Sequence, residues 1–523
     1  MKNILREKIE LAISKIYPDS KESNFSVGST EERFGDYSTN AAMILGKARG
    51  ESPKEVAEKL TSELGKIEIF EKVEVAGPGF INFKLSLPYL QQKISEIIAS
   101  DESYGNSDLG QDLKVNVEFI SANPTGPLTL GNGRGGYTGD CLSNVLQAFG
   151  ASVSREYYIN DAGNQALALG HSVLKDEEAV YKGDYIDEIA KQIETKDPVE
   201  AGGVAAAIIM EKYIKKTVER MGIKFDHWTT ESSLRKGPVE EVLGMLRKDS
   251  SLTYKKDGAV WLKTIDFGDD KDRVIIKSDG EYTYIVPDIA YHWLKIKRNY
   301  NLLIDFLGAD HHGYVSRLKA GVEIVGKIQA WGGIFKILIA QLVRLMSKGQ
   351  EVKMSKRAGT YVTLDELIDE VGADVTRFFF LERSLDTHMD FDLDLAKEHS
   401  EKNPVYYVQY AHARISSILA KSPTSKSDLL NLDLIKEPAE LALIKELIKL
   451  PDVVIETAED FQVQRLPFFA IELANKFHNF YEHCKVISDD TNLTSARIEL
   501  IKATQIVLKK TLDLMGVSSP EKM

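Results

Sequence analysis

Val115-Asn116-Val117-Glu118-Phe119-Ile120 runs directly into Ser121-Ala122-Asn123-Pro124-Thr125-Gly126-Pro127-Leu128-Thr129-Leu130-Gly131-Asn132-Gly133-Arg134-Gly135-Gly136, and the order of these two pieces decides the fold. The first reads as a strand. The second is rich in Gly and Pro and reads as a loop from Asn123 to Gly136. A helix is expected from about Tyr137 to Phe149, with Gly150 as its C′ residue. Arg155-Glu156-Tyr157-Tyr158-Ile159 then reads as the next strand. Strand, Gly-rich loop, helix, strand is the opening of a doubly wound nucleotide-binding fold. Glycine lets backbone come close to a phosphate or an adenine ring. The helix start behind it offers free N–H groups and a partial positive charge. Thr129 and Asn132 add side-chain donors there.

Outward from this unit, Leu302 to Leu307 reads as a further strand of the same alternation, and about 170–277 is less regular, as insertions would be. The expectation for 111–395 is a Rossmann-like α/β catalytic domain on a parallel sheet with insertions. Residues 1–110 read as an α+β module. Ile4, Leu5, Ile9, Ala12, Ile13 and Ile16 recur at helical spacing, and a second helix fits Asn40 to Arg49. Val73, Val75, Ile81, Phe83 and Leu85 alternate like half-buried strands around Gly77-Pro78-Gly79. Asp108 to Asp112 reads as a linker. After about Leu395 strand signals largely stop. Amphipathic helices at 404–421, 438–450, 466–488 and 492–515 read as an all-α bundle over 396–523.

A chain of 523 residues with 43% hydrophobic and 28% charged residues is an ordinary globular composition with room for several domains. Its two cysteines, Cys141 and Cys484, form no zinc-ligand pattern and read as buried small hydrophobes in a reducing compartment. Lys2, Arg6 and Glu7 interrupt the N-terminus too early for a signal peptide. The most apolar stretch, Trp331 to Met346, is broken by Lys336, Gln341 and Arg344 and is too short to span a bilayer. A cytoplasmic protein with no membrane partner is expected. The net charge of −13 argues against a nonspecific nucleic-acid binder, yet basic residues gathered on one face would still permit a specific one.

A second stretch carries chemistry: Glu351-Val352-Lys353-Met354-Ser355-Lys356-Arg357-Ala358-Gly359-Thr360. Two lysines separated by Met-Ser suit a mobile loop that closes on a triphosphate and offsets charge as it shifts in the transition state. Lys-Met-Ser-Lys resembles the second signature of class I aminoacyl-tRNA synthetases. The strand–loop–helix around Thr129 to Asn132 resembles their first, usually His-Ile-Gly-His. Here it reads Thr-Leu-Gly-Asn, which can donate hydrogen bonds but cannot become cationic, so the lysines must supply the charge. Flanking sequence resembles arginyl-tRNA synthetases in particular: Val117 to Pro127, Arg155 to Gln165, Gly308-Ala309-Asp310-His311-His312-Gly313-Tyr314, and Val371-Gly372-Ala373-Asp374. Phe34-Gly35-Asp36-Tyr37-Ser38-Thr39-Asn40 resembles the appended domain that reads the tRNA elbow. Asn403 to Arg414 resembles the start of the anticodon-binding bundle.

The resemblance implies a two-step reaction: arginine is activated by ATP with Mg²⁺, then moved to the 3′-terminal ribose of tRNA(Arg). It implies Lys353, Lys356, Thr129 and Asn132 as catalytic residues. ATP contacts fall to Pro124, Gly126, Thr129, Gly131, Asn132, Asp310, His311, Met354, Ser355 and Lys356. For arginine the implied set is Glu118, Asn123, Glu231, Tyr284, Asp288 and His312, with Asp288 and Glu231 facing the guanidinium. This agrees with the chemistry, because a guanidinium is a planar, permanently charged fork that calls for carboxylates. For tRNA the set is Tyr37, Asn40, Tyr406, Tyr410 and Arg414. The family pattern implies a monomer, activation that requires bound tRNA, and no editing domain, since buried acids leave mismatched analogues with unpaired charge. The adjacent His311 and His312 point different ways and have no third partner at zinc-ligand spacing, so no resident metal is expected. Two rivals are a class I synthetase for another amino acid, or a paralogue without charging activity, and a noncatalytic RNA-binding or scaffold protein on a degenerate nucleotide fold.

Overall fold

Short polar segments divide the chain into three packed parts, and the computed structural model describes residues 1–20, 24–352, 362–422 and 431–523 of it. At the N-terminus β1 (Val27–Ser29), β2 (Tyr37–Thr39), β3 (Phe70–Ala76) and β4 (Phe80–Leu85) form an antiparallel sheet of order β1-β2-β4-β3. Alternation places Ile81, Phe83 and Leu85 of β4 inward against helices Lys2–Ile16, Ala41–Arg49, Pro53–Leu64 and Leu87–Ser100. The helices at 53–64 and 87–100 each carry a Pro in the first turn, a start signal left unread in the sequence.

The middle part is built on five parallel strands: β5 (Lys114–Glu118), β6 (Ser152–Ile159), β7 (His227–Thr230), β11 (Leu302–Gly308) and β12 (Ile334–Ala340), in the order β12-β11-β5-β6-β7. An antiparallel insertion of β8 (Thr253–Lys256), β9 (Ala259–Leu262) and β10 (Arg273–Ile276) sits between β7 and β11 in sequence. Val115, Val117, Leu303 and Ile304 are fully buried because helices cover both faces of the sheet. The chain moves one way from β5 to β7 and then returns to β5's other side with β11. That reversal opens a crevice beyond the carboxyl ends of β5 and β11. A third small sheet, β13 (Val343–Ser347), β14 (Gln350–Glu351) and β15 (Met389–Asp392), borders this crevice and had no legible signal in the sequence.

The expected loop from Asn123 to Gly136 is shorter, and the helix begins seven residues early, spanning Leu130–Ala148. Its glycines serve packing. A Cβ on Gly133 would lie 2.7 Å from Leu364, and one on Gly139 would lie 2.4 Å from the Phe119 ring. The helix is thereby pressed onto β5, and its first turn is held at the crevice.

From Pro404 onward the described residues are mostly helical: Pro404–Lys421, Pro438–Leu447, Leu450–Asp460, Arg465–His483 and Thr491–Met515. The single helix expected over 438–450 ends at Leu447, and Pro451 starts another. The last helix is seated on the middle part. Its terminal carbonyls, which have no intrahelical partner, are taken by side chains from there. Arg377 donates to Met515 O and, at 3.1 Å, to Met221 O, and it pairs with Asp140; Asn144 donates to Leu514 O at 3.1 Å. No described helix is long and apolar enough to cross a membrane.

Candidate functional site

The end of β5 is strained. Ile120 and Ser121 adopt φ of +66° and +39°, which costs a β-branched residue on the order of 1–3 kcal/mol. Hydrogen bonds hold the turn. The Ser121 hydroxyl donates to Glu118 at 2.9 Å and accepts the Tyr158 N–H at 3.0 Å. The Tyr157 hydroxyl bridges the N–H and C=O of Ala122, both at 3.1 Å. This turn delivers the 123–129 loop over the crevice, with Pro124 and Gly126 buried and Asn123 half-buried.

Thr129 and Asn132 cap the following helix reciprocally. The Asn132 side-chain carbonyl accepts both the Thr129 N–H and its hydroxyl at 2.9 Å. The Thr129 hydroxyl proton is thus used internally, and the group left to donate outward is the Asn132 amide nitrogen, at a helix start where the dipole already favours an anion. These residues with Gly131, Gly308 and Asp310 line a cleft of about 500 Å³, closed on its far side by Leu342, Val343 and Arg344. Asp310 and His311 are exposed at its mouth, and His312 is exposed on the same turn. Lys353, Met354, Ser355 and Lys356 lie outside the described residues, but Val352 and Val362, on either side of them, both border the cleft.

Behind the cleft sits a group of acids. Glu118 is ion-paired to the fully buried Lys295, which also donates to Asp305 at 2.9 Å. His292 bridges Asp305 at 2.7 Å and the Asp288 carbonyl at 2.8 Å. Burial pushes Glu118 above the usual carboxylate range. Asp305 resists the same burial, because Lys295 and then His292 hold it down at about 2. Glu231 faces Tyr158 at 3.4 Å and the Asn160 amide nitrogen at 2.9 Å, and pairs with Arg235. Asp288, in the first turn of the helix Ile285–Lys297, is different. Its carboxylate accepts from the Tyr314 hydroxyl and, among the described residues, has no cation within ion-pair distance. Burial, opposed by Tyr314 and His292 and assisted by Glu231 and Glu118, lifts it to about 6. It is still half-accessible. A partly exposed carboxylate with no cation of its own can accept one from a ligand. Tyr284 is 65% exposed and stands beside it, its ring 6.0 Å from that of Tyr314.

Glu118 was expected at a ligand's amino group. Its oxygens are engaged by Lys295 and Ser121, which use part of a carboxylate's roughly four acceptor sites. Tyr314, Tyr158, Lys295 and Arg235 were not singled out in the sequence. Tyr158 and Tyr314 lie inside quoted stretches but are given no role there, Lys295 and Arg235 fall in no quoted stretch, and only the fold brings these four to the acids. Tyr37 was expected on an RNA-facing surface, and this is corrected: its ring is 3% exposed and belongs to the core. Asn40 accepts the Ser26 N–H at 2.8 Å and borders a groove with Phe34, Phe80 and Asn82. In the bundle, Tyr406 and Tyr410 stack with centroids 6.1 Å apart, and Arg414 lies over the rings of Tyr410 and Tyr481 at 4.6 and 4.9 Å.

Three family models match the chain: the arginyl tRNA synthetase N terminal domain over 3–85, the class I (R) tRNA synthetase catalytic domain over 176–392, and the DALR anticodon binding domain over 408–523. The arginine–tRNA ligase of Aquifex aeolicus is 40% identical, with the whole of both chains covered. That of Shouchella clausii is 43% identical over 94% of this chain and 93% of the relative. The solved arginyl-tRNA synthetase of Thermus thermophilus superposes with a TM-score of 0.80 over all of both chains at 20% identity, a likeness of fold.

Proposed function

The chain belongs to the arginyl-tRNA synthetase family, and from that membership we propose that it activates L-arginine with ATP and esterifies it onto tRNA(Arg) through the cleft and acid group at the ends of β5 and β11. In the first step the arginine carboxylate attacks the α-phosphorus of ATP, forming arginyl-adenylate and expelling pyrophosphate. In the second a ribose hydroxyl at the tRNA 3′ end attacks the adenylate and AMP leaves. Neither step needs a protein nucleophile, so the chain contributes positioning and charge. The observation that carries this reading is Asp288, the acid of its group that lacks a cation.

The guanidinium pairs with Asp288 and, beside it, Glu231, and Tyr284 closes over it. Asn123, His312 and the negative field of Glu118 meet the amino-acid end. ATP lies along Pro124, Gly126, Gly131, Asp310, His311, Met354 and Ser355. The Asn132 amide donates to it, Thr129 orients that amide, and Lys353 and Lys356 meet the departing pyrophosphate. Mg²⁺ arrives on the phosphates of ATP as part of the substrate. The tRNA elbow meets the groove at Asn40, with Tyr37 supporting it from the core. The anticodon meets Tyr406, Tyr410 and Arg414. The parts act as 1–110 for the elbow, 111–395 for chemistry and 396–523 for the anticodon, in a cytoplasmic monomer whose arginine activation waits for tRNA.

The test is ATP-dependent charging with each amino acid in turn, together with pyrophosphate exchange with and without tRNA(Arg). Charging by arginine alone, and exchange only with tRNA, are the expected results. Charging by another amino acid rejects the substrate, and rapid exchange without tRNA rejects the coupling.

A further inference from the structure

A second guanidinium stands at these acids, and it belongs to the chain. Building on the reading above, we propose that Arg235 is an internal competitor of the substrate: it pairs with Glu231, and arginine gains Glu231 only by displacing it. Both Nε and Nη2 of Arg235 donate to one Glu231 oxygen, at 3.1 and 2.5 Å. The other oxygen faces Tyr158 and Asn160. Glu231 is 9% exposed, whereas the Arg235 side chain is 40% exposed, so the cation approaches from the solvent side. It lies over the Tyr282 ring at 5.7 Å and has Gly163, which carries no side chain, beside it.

The acids are therefore neutralised in two ways. Lys295 is fully buried and cannot leave Glu118 and Asp305. Arg235 is long and partly solvated, and it can swing away once a ligand's cation takes its place at Glu231. While it stays, Glu231 is not left as a second uncompensated buried carboxylate, which would be costly. When a ligand arrives, it must satisfy Glu231 at least as well as a guanidinium fork already does. Another guanidinium meets that threshold. An ammonium, a compact point charge without the fork, does not. Arg235 thus acts through Glu231 as a positioning residue that sets specificity.

The test uses the full chain with Arg235→Met and Arg235→Lys, each alone and combined with Glu231→Gln. Arginine KM and kcat in tRNA charging, inhibition by free lysine, and the rise in melting temperature caused by arginine are measured. Arg235→Met is expected to lower the arginine KM two- to fivefold, the range spanned by partly exposed ion pairs. It should also enlarge the arginine-induced thermal shift and strengthen inhibition by lysine, with Arg235→Lys intermediate. In the Glu231→Gln background the fall in KM should vanish. An arginine KM that rises or stays put in Arg235→Met overturns the proposal, as does a melting temperature lowered equally with and without arginine. A wild-type enzyme that charges arginine normally while Arg235→Met gives those results defeats this inference alone, and a wild type that does not charge arginine defeats the reading beneath it.

Discussion

Replacing Asp288 with Asn removes one charge and keeps the shape and the acceptor for Tyr314. At pH 7.5 a carboxyl titrating at about 6 is about 97% ionised, and at pH 5.5 only about 24%, so kcat/KM for arginine in the wild type should fall about fourfold between them through this group. Losing a buried, charge-assisted partner of a cation costs about 2–5 kcal/mol, a drop of about 30-fold to several thousandfold in kcat/KM at pH 7.5. The variant should lose the acidic limb, so its deficit should narrow about fourfold at pH 5.5 by the same ionisation. Stability should move the opposite way. The folded value lies above the unfolded one of 3.8, so the native state binds the extra proton between pH 4 and 6, and wild-type stability is lost as pH rises through that window. The loss reaches at most about 3 kcal/mol, from about 1.36 kcal/mol for each pKa unit, and Asp288→Asn should regain it, melting higher at pH 7.5 in the absence of arginine. Initial charging rates over an arginine series from pH 5.0 to 8.0, with thermal melts in the same buffers, measure both. An unchanged arginine KM, or a variant that keeps the acidic limb, would refute the reasoning.

Gly139→Ala should destabilise the fold by about 1–3 kcal/mol, since its Cβ meets the Phe119 ring and neither backbone can yield; urea unfolding reads this as a lower midpoint at constant slope. Lys295→Met leaves Glu118 and Asp305 without their shared cation and should cost about 3–5 kcal/mol, seen as a large fall in melting temperature that lessens as pH drops and the acids take up protons. Tyr410→Ala should raise the tRNA KM by the about 1–3 kcal/mol that one base–aromatic stack is worth and leave the arginine KM in place; equal tRNA KM values would remove the ring from the RNA face.

Much of the fold could be read along the chain because local pattern and final burial agree there. The helix at 404–421 coincides with its expected range, and β11 extends its expected strand by one residue. The errors have physical causes. Glycines at 131, 133, 135 and 136 read as a loop because conformational freedom is their commoner use, whereas here the missing Cβ atoms of Gly133 and Gly136 admit Leu364, Met221 and Ile120. Two-residue β14 and four-residue β15 are held by neighbours rather than by propensity. At the site, Asp288, Glu231 and Glu118 could be named from flanking residues. Which acid is free for a ligand could not, because Lys295, His292 and Arg235 reach them only through the sheet order. Tyr37 failed for a related reason: an aromatic in a motif looks available until its burial is known.

The seating of the last helix on Arg377 and Asn144 makes the molecule hard to divide. Gly516, at φ +68°, ends that helix, and any side chain there would strike the Arg377 guanidinium. A fragment cut after 395 would strip Arg377 of the Met515 carbonyl and leave it holding Asp140, Met221 and the face of the Tyr137 ring. Asp140 is on the helix whose first turn carries Asn132. Truncation at the far end of the chain would thus loosen the floor of the cleft, and a minimal catalytic piece of this protein has to carry its carboxyl-terminal helix with it.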